Sequence, residues 1–203
     1  MTIEKGKAWG EPGGLPPDGV VVRSDAEARA VVTNARRQGS VPPTLGLLGG
    51  DLCRTLGGAG DENRLRSAEA MVFPVDLGVV EVDSDEFYFV AHLIARRSWW
   101  WGRLVAVMNA QWLGRWDLGP RSHPNDGLLD LTDGTMAMGQ RLEARRRLTT
   151  GTHLPHPALE TRRAAAFTLD LQRPLDVWLD GDRVTRARHL VIRCEPDALR
   201  VVV

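Results

Sequence analysis

The 203-residue chain has 26 Lys and Arg against 26 Asp and Glu, so its formal net charge at pH 7 is zero. A neutral chain has no overall field to attract nucleic acid or an anionic membrane, and 43% hydrophobic residues exclude a disordered chain. The length suits one domain plus a fragment of a second, and is short of two enzyme domains of about 100–150 residues each.

The first third of the chain predicts alternating strands and helices. In chain order we expect an extended arm over 1–18, a strand over 19–23, a helix over 26–38, a strand over 44–48 and a helix over 52–56. Ser24 and Asp25 supply an N-cap for the first helix, and Gly39 stops it. This rhythm is that of a parallel α/β unit, here too small for a complete nucleotide-binding sheet.

From about residue 70 the pattern changes to short strands with turn signals, and a single helix is predicted over 136–148. The predicted strands are 71–82, 87–95, 104–108, 128–131, 167–171, 177–179, 190–194 and 199–203. Asp83–Glu86 and Asp180-Gly181 predict hairpin turns. The fold class is therefore α+β. A mainly antiparallel β-sandwich-like domain over 67–203 follows a small α/β remnant over 19–66.

The two cysteines, Cys53 and Cys194, are isolated and do not form a disulfide framework. The first residues lack the apolar core of a signal peptide, and the longest apolar stretch is too short to span a bilayer. We therefore expect a cytoplasmic protein with no transmembrane segment and no nucleic-acid partner.

Charge is unevenly distributed along the chain. Residues 71–90 carry five carboxylates and no basic residue, whereas the end of the last predicted helix carries Arg145, Arg146 and Arg147. Such runs are usually solvated faces. The alternative is that the arginines contact phosphate or an anionic lipid headgroup.

The densest group of motif residues lies between Asn109 and Asp130. Within it an Asn-Asp-Gly turn leads into an apolar strand, and Asp126 and Asp130 lie four residues apart. An aspartate held at a turn can act as a base toward a hydroxyl. Asp-Gly is also a common turn dipeptide that needs no chemistry.

Four motifs in order resemble the C-terminal domain of the diacylglycerol and sphingosine lipid kinases, especially the soluble bacterial ones. The residues that carry this resemblance are Asn109, Gly114, Pro120, Asp126-Gly127-Leu128-Leu129-Asp130, Gly151-Thr152-His153, Asp180-Gly181-Asp182 and Glu195–Val201. Upstream, the segment 45–57 is similar to a Gly-Thr-Gly-Asn-Asp stretch followed by Arg-x-Leu-Gly. There Asp51, Arg54, Leu56 and Gly57 match.

The resemblance implies the β-sandwich-like fold of NAD kinase and diacylglycerol kinase-like proteins. It also implies ATP-dependent phosphorylation of a lipid hydroxyl, with ATP and Mg²⁺ as cofactors. Asp126 or Asp130 would be the catalytic base or a metal-orienting carboxylate. Asp51, Asp180 and Asp182 would lie on the nucleotide side.

The family's phosphate-binding Gly-Gly-Asp-Gly-Thr motif has no match at Gly49-Gly50-Asp51, because Leu52 and Cys53 stand where Gly and Thr would be. Glycine is needed there so that backbone N–H groups can approach an anion. We therefore expect kinase activity to be weak or absent in this chain alone. The alternative function is a non-catalytic module that binds a lipid, another small hydrophobic ligand, a protein partner or a second copy.

Seven tryptophans against one tyrosine are the second unusual feature. Three are consecutive at 99–101 and cannot all face one side of a strand. They pack in a core, or they line an apolar cleft suited to an acyl chain. In the second case the substrate cleft would include Asn109, Trp100, Trp112 and Trp116.

Histidines suggest a weaker, third hypothesis, a zinc-dependent hydrolase. His153 and His156 form an HxxH pattern, and His123 lies in a proline-bounded loop. Zinc accepts such imidazoles, but Pro155 and Pro157 indicate an irregular loop rather than a helix that would align the ligands. We therefore assign no metal site and keep the three histidines as candidates.

Overall fold

A computed structural model describes residues 9–203. Its strands are β1 (Glu11–Pro12), β2 (Val20–Val22), β3 (Leu45–Leu47), β4 (Met71–Val82), β5 (Asp85–Phe89), β6 (His92–Arg96), β7 (Arg103–Met108), β8 (Trp112–Leu113), β9 (Trp116–Asp117), β10 (Leu129–Thr135), β11 (Leu159–Ala164), β12 (Ala166–Leu179) and β13 (Asp182–Val202). Its helices are α1 (Asp25–Arg37), α2 (Asp51–Thr55), α3 (Glu62–Leu65) and α4 (Met138–Arg147).

Eleven of these strands form one sheet, in the order β1-β4-β13-β12-β6-β7-β10-β11, with β5 beside β4 and with β2 and β3 joined to the end of β13. The β2–β3 and β3–β13 pairs are parallel, and the other described pairs are antiparallel. β8 and β9 form a separate two-stranded hairpin. The predicted α+β class with a mainly antiparallel sandwich-like sheet is confirmed.

The main core lies inside this sheet, which is long and irregular enough to fold over on itself. β12 alternates exposed and buried residues, and its inward side chains include Phe167, Leu169 and Val177. Register shifts interrupt β12 between Asp170 and Leu175 and β13 between Glu195 and Leu199. Such bulges bend a strand and increase its twist, which lets one continuous sheet enclose a core on its concave side.

The N-terminal lobe, residues 20–65, packs a second core against one end of the sheet. Ala28 and Val32 of α1 and Leu52 of α2 are buried there against strand residues such as Val75. Ser24 caps α1 by accepting a hydrogen bond from the Glu27 N–H, as predicted. Gly39 follows the helix with φ +65°, which confirms the predicted stop.

The hairpin turns are confirmed, but the predicted single strand over 87–95 is wrong. Asp83 and Ser84 both have positive φ in a two-residue turn, and so do Asp180 and Gly181. The strand is broken between β5 and β6 because the Asp180 carboxylate accepts the N–H groups of residues 90, 91 and 92. The backbone N–H groups of residues 90–92 therefore point toward the Asp180 side chain rather than toward a neighbouring strand.

The four predicted C-terminal strands are parts of two long strands, β12 and β13. The irregular segments that separated them in the sequence are bulges within a strand. The predicted strand over 128–131 runs from Leu129 to Thr135. β11 was not predicted, since its Glu- and Arg-rich sequence lacks apolar alternation. The predicted helix over 136–148 is confirmed as α4.

The predicted arm over 1–18 begins outside the described residues, and its remaining part contributes β1 to the edge of β4. Among the described residues, no helix has the length and apolar character needed to cross a bilayer.

Candidate functional site

Asp180 lies at the junction between the lobe and the sheet. Its side chain is fully buried and accepts hydrogen bonds from the N–H groups of Val90, Ala91 and His92 at 2.9, 2.9 and 3.1 Å. Burial raises the pKa of this carboxyl, and His92 and the three N–H groups offset part of the effect. The predicted nucleotide-side residue is therefore also an anchor for the corner between β5 and β6.

His92 joins Asp180 to the second predicted nucleotide-side residue, Asp51. Its Nε2 lies 3.0 Å from Asp51 Oδ2, and its side chain is almost completely buried. Asp51 also accepts a hydrogen bond from the Gly114 N–H at 2.8 Å. The structure thus brings Asp51 and Asp180, which are far apart in sequence, to the same imidazole.

Asp25, the first residue of α1, completes this group, and we call Asp25, Asp51, His92 and Asp180 the junction cluster. The Asp25 carboxylate accepts the N–H groups of Asp51 and Leu52. Burial, reinforced by the negative charge of Asp180, raises the pKa of Asp25 to about 6. The pKa of His92 is also raised: burial works against the imidazolium, but the hydrogen bond to Asp51 and the nearby carboxylates outweigh it.

The third predicted nucleotide-side residue, Asp182, lies outside the cluster. It accepts a hydrogen bond from the Arg29 guanidinium at 2.6 Å, while Arg29 Nε lies 3.8 Å from Asp180. Arg29 therefore ties helix α1 to the β12–β13 hairpin. Most of the Asp182 side chain is exposed.

The junction cluster is the one group of metal-ligand type within the described residues. Ligand atoms of Asp25, Asp51 and His92 lie within 4.8 Å of one another. Each of the four oxygens of Asp25 and Asp51 already has a hydrogen-bond partner in the protein. Mg²⁺ prefers an all-oxygen set, so a set that includes imidazole and is internally satisfied does not fit the family's Mg²⁺. It holds the lobe to the sheet.

The turn between β2 and α1 shows where the family's phosphate-binding motif would fall. When the motif is placed on this turn, Asp25 matches its aspartate, and Arg23, Ser24, Ala26 and Glu27 replace the other four residues. The sequence comparison used Gly49–Asp51, which lies at the start of α2 rather than α1. The strand–aspartate–helix order was the available signal.

The donors of this turn are already used by the turn itself. The Glu27 N–H donates to Ser24 Oγ at 3.2 Å, and the Arg23 N–H donates to Glu27 Oε2 at 2.7 Å. These two bonds satisfy two of the N–H groups at the start of the helix. Two carboxylates, those of Asp25 and Glu27, occupy the first helical turn. The turn therefore does not fit the phosphates of ATP, because it offers negative charge and few free donors.

Asn109 connects the junction cluster to the predicted catalytic segment. It is fully buried, and its amide donates to the carbonyls of Asp76 and Val90, each at 2.8 Å. The buried Asp76 carboxylate in turn accepts the N–H groups of Gly127 at 2.7 Å and Asp197 at 3.0 Å. Asp76 thereby fixes the Asp126-Gly127 turn. The sequence had placed Asn109 in a substrate cleft, whereas here it is an internal connector.

The predicted catalytic residues Asp126 and Asp130 lie close together around Arg163. The Arg163 guanidinium contacts the Asp126 carboxylate, and its Nε lies 3.6 Å from Asp130 Oδ2. Asp126 also accepts its own turn's Leu128 N–H at 3.0 Å. Burial raises the pKa of Asp130.

Asp130 lines a cavity of about 520 Å³, which we call the cleft. Its polar side includes Arg121, Arg162, Arg163, Thr132 and Thr161. The apolar wall consists of Met108, Leu118, Pro120, Leu131, Leu154 and Pro155. A mixed lining and a volume of several hundred Å³ are typical of small-molecule sites.

A second, smaller cavity of about 80 Å³ adjoins the cleft, with Leu118 and Thr132 in both linings. We call it the tryptophan cavity, because Trp99, Trp100 and Trp116 form much of its wall. Two of the predicted cleft tryptophans, Trp100 and Trp116, thus lie together. Trp112 does not line either cavity; its ring stacks beneath the Arg54 guanidinium at 3.5 Å.

The three candidate zinc ligands are spread over different surroundings. His123 stacks against Trp9 at 4.5 Å between ring centroids, and burial lowers its pKa. His153 is buried in the wall of the tryptophan cavity, where burial also lowers its pKa. They are not part of the metal-ligand group found within the described residues.

Buried polar atoms without a hydrogen bond gather around the two cavities. They include Trp116 Nε1, Asp117 Oδ1 and a ring nitrogen of His153. Folded proteins rarely leave such atoms unpaired. Their concentration next to open volume is typical of a surface that hydrogen-bonds a ligand.

The mainly antiparallel, sandwich-like sheet is the fold of NAD kinase-like β-sandwich proteins. The chain belongs to the family described as "YegS C-terminal NAD kinase beta sandwich-like domain", whose model matches residues 78–203. No curated protein matches the chain significantly.

Three solved structures of diacylglycerol kinase-like proteins from Bacillus anthracis str. Sterne are similar in fold. One is 16% identical with a TM-score of 0.66 and covers 91% of this chain and 77% of that chain. A second is 15% identical with a TM-score of 0.65 and the same coverage. The third is 16% identical with a TM-score of 0.61 and covers 91% and 75%. At this identity the likeness concerns the fold.

Proposed function

We propose that this protein binds a lipid or a similar amphiphile in the cleft and the adjoining tryptophan cavity, and that it does not use ATP as its lipid-kinase relatives do. The observation that carries this proposal is the pair of adjoining cavities with unpaired polar atoms in and beside their walls. The cleft has a mixed polar and apolar lining, whereas the tryptophan cavity is mostly apolar. This difference favours an amphiphile, because the two cavities offer separate places for a polar head and an apolar tail.

The polar head fits the cleft. Asp130 and Thr132 can hydrogen-bond hydroxyl groups, and Arg121 and Arg162 offer cationic donors. The apolar tail fits the tryptophan cavity, since aromatic walls there exclude water from a hydrocarbon chain. The shared lining residues Leu118 and Thr132 make a path between the two.

The absence of nucleotide use is argued from the turn between β2 and α1. Phosphoryl transfer depends on positioned donors and cations around the phosphates. Here Glu27 and Ser24 accept the N–H groups of Arg23 and Glu27, and the Asp25 carboxylate accepts those of Asp51 and Leu52. A phosphate would have to break these bonds and approach two carboxylates.

Ligand binding is tested by calorimetric titration with dioctanoylglycerol, and by native mass spectrometry of the purified protein. The informative variant is Thr161→Trp, which fills the cleft from its exposed rim. The matched control is Thr168→Trp, an equally exposed threonine on β12 outside the cleft lining. We expect binding to fall at least about tenfold in the first variant and to be unchanged in the second. Equal affinity in both variants would contradict the proposal.

Nucleotide use is tested separately by calorimetric titration with ATP and Mg²⁺, and by an assay for phosphate transfer to diacylglycerol. We expect neither binding at millimolar nucleotide nor transfer. Transfer that is abolished by Asp130→Asn would show that the family activity survives, and this half of the proposal would then be abandoned.

A further inference from the structure

Large apolar side chains are exposed on one continuous surface, formed by loop 98–102 and helix α4. Trp100 and Trp101 are 49% and 50% exposed, and Met138 and Leu142 are 67% and 48% exposed. The other exposed large hydrophobic residues in residues 9–203 are Val41 and Val191, which lie elsewhere in the sequence and the fold. Exposed apolar groups that gather in this way mark an interaction surface.

Arg141 makes the loop and the helix a single unit. Its side chain is buried and donates to the carbonyls of Met136, Trp99 and Gly102, so it fastens the tryptophan loop to the start of α4. Arg145, one turn further along, lies 5.0 Å from the ring centroids of both Trp100 and Trp116.

The exposed apolar residues of α4 continue toward the tryptophans. Met138, Leu142 and Arg145 are spaced i, i+4 and i+7, and therefore share one helical face. Because Arg145 contacts Trp100, this face and the loop meet.

The same surface is strongly basic. Arg97, Arg145 and Arg146 are exposed on it, whereas Arg147 pairs with Glu143 at 3.0 Å on the other side of the helix. Arg97 also lies 4.8 Å from the ring centroid of Trp101. Each exposed tryptophan thus has an arginine guanidinium beside its ring, so that cation and indole lie next to each other on the surface.

We propose that this surface docks on an anionic phospholipid bilayer, and we call it the docking face: Trp100, Trp101, Met138, Leu142, Arg97, Arg145 and Arg146. Tryptophan favours the boundary between headgroups and acyl chains. Arginine gains from the negative surface potential of anionic lipids. Charge complementarity therefore selects a bilayer as the occupant over a neutral protein surface.

The docking proposal rests on the proposed function only for the idea that a lipid is the ligand. Trp101, Met138 and Leu142 do not line either cavity, whereas Thr161 lines the cleft. Variants at these two places therefore separate membrane docking from ligand binding.

The test is co-sedimentation of the full-length protein with phosphatidylcholine vesicles that contain one quarter phosphatidylglycerol, compared with pure phosphatidylcholine. We expect binding to the anionic vesicles that weakens several-fold when salt is raised. The double variant Trp101→Glu/Leu142→Glu should lose at least about tenfold in vesicle affinity. The control Val41→Glu/Val191→Glu adds the same charge to exposed apolar positions elsewhere and should bind as the unmodified protein does.

Thr161→Trp should keep vesicle binding while losing dioctanoylglycerol, and Trp101→Glu/Leu142→Glu should show the reverse. Thermal unfolding of each variant establishes that it is folded. The proposal is wrong if the unmodified protein ignores anionic vesicles, or if it binds neutral ones equally well. It is also wrong if sedimentation without lipid shows a dimer that only the docking-face variant loses, since the face would then be an interface between copies.

Discussion

The turn before α1 and the surroundings of the two cavities treat their polar groups in opposite ways. In the lobe, the turn before α1 is saturated, since Ser24, Glu27 and Asp25 accept the local N–H groups. In the sandwich, buried polar atoms around the cleft and the tryptophan cavity are left without hydrogen bonds. The first region is built to be stable by itself, and the second is built to meet something else.

This contrast separates fold from function within one family. The lobe keeps the strand–aspartate–helix order, but its aspartate is used to hold α2 and the junction cluster. The sandwich keeps Asp126, Asp130 and the cavity beside them. On the proposed function, the sandwich would bind the ligand and the lobe would serve as a structural support.

The largest effect is expected for Asp180→Ala in the junction cluster. The substitution leaves three buried N–H groups without an acceptor, and it should lower the free energy of unfolding by about 3–5 kcal/mol. Urea denaturation measures this loss. A loss under about 1 kcal/mol would show that the hydrogen bonds of Asp180 in the junction cluster contribute little to stability.

The next largest effect concerns pH. The pKa of Asp25 is raised from 3.8 to about 6 in the folded protein, so the folded state holds this proton more tightly than the unfolded state. Asp25 therefore contributes stability at about pH 4 that is lost as the pH rises through about 6. His92, whose pKa is also raised, adds a loss of the same sign at higher pH.

Asp25→Asn removes the titrating group and isolates this effect. The unfolding free energy of the variant, minus that of the unmodified protein, should increase by about 2 kcal/mol between about pH 4 and about pH 7. The informative quantity is the change in this free-energy difference between the two pH values. The amide also alters the bonds to Asp51 and Leu52, but by an amount that does not vary with pH. A difference that does not vary with pH would contradict the assignment.

Two serine variants, one in the turn before α1 and one beside the cleft, test the comparison between these two regions directly. Ser24→Ala removes the N-cap of α1 and should cost about 1 kcal/mol. Ser122→Ala removes only a weak contact of the Ser122 hydroxyl with Asp130, and should change stability by less than about 0.5 kcal/mol. Urea denaturation of both variants in parallel measures the contrast, and equal losses would refute it.

The smallest effect is expected for Asp182→Ala. Its carboxylate is 61% exposed and pairs with Arg29, and such pairs contribute about 0.5 kcal/mol. The loss should also shrink in high salt. Chemical denaturation at two salt concentrations checks this, and a loss comparable to that of Asp180→Ala would show that the two hairpin aspartates act together.

Features that depend on neighbouring residues were predictable from the sequence. The Ser24 cap, the Asp83-Ser84 and Asp180-Gly181 turns and the strands over 167–171 and 177–179 are local patterns, and each is confirmed. The break between β5 and β6 was not predictable, because its cause is a carboxylate 88 to 90 residues further along the chain.

The candidate site shows the same division. The sequence singled out Asp126, Asp130, Asp51 and Asp180, because they lie in recognisable turns. It missed Asp25, His92 and Arg163, because their roles come from partners 26, 41 and 37 residues away. It also counted Asp76 among surface charges, although a carboxylate within the apolar strand β4 was a signal that it is buried.

Strand β13 has a consequence for how the molecule comes apart. Along its length it pairs with β12 and β4, and near its end Val201 and Val202 pair with β3 of the lobe. The lobe therefore cannot detach without breaking a strand that also belongs to the main sheet. We expect one cooperative unfolding transition, with the amide protons of β13 among the last to exchange with solvent.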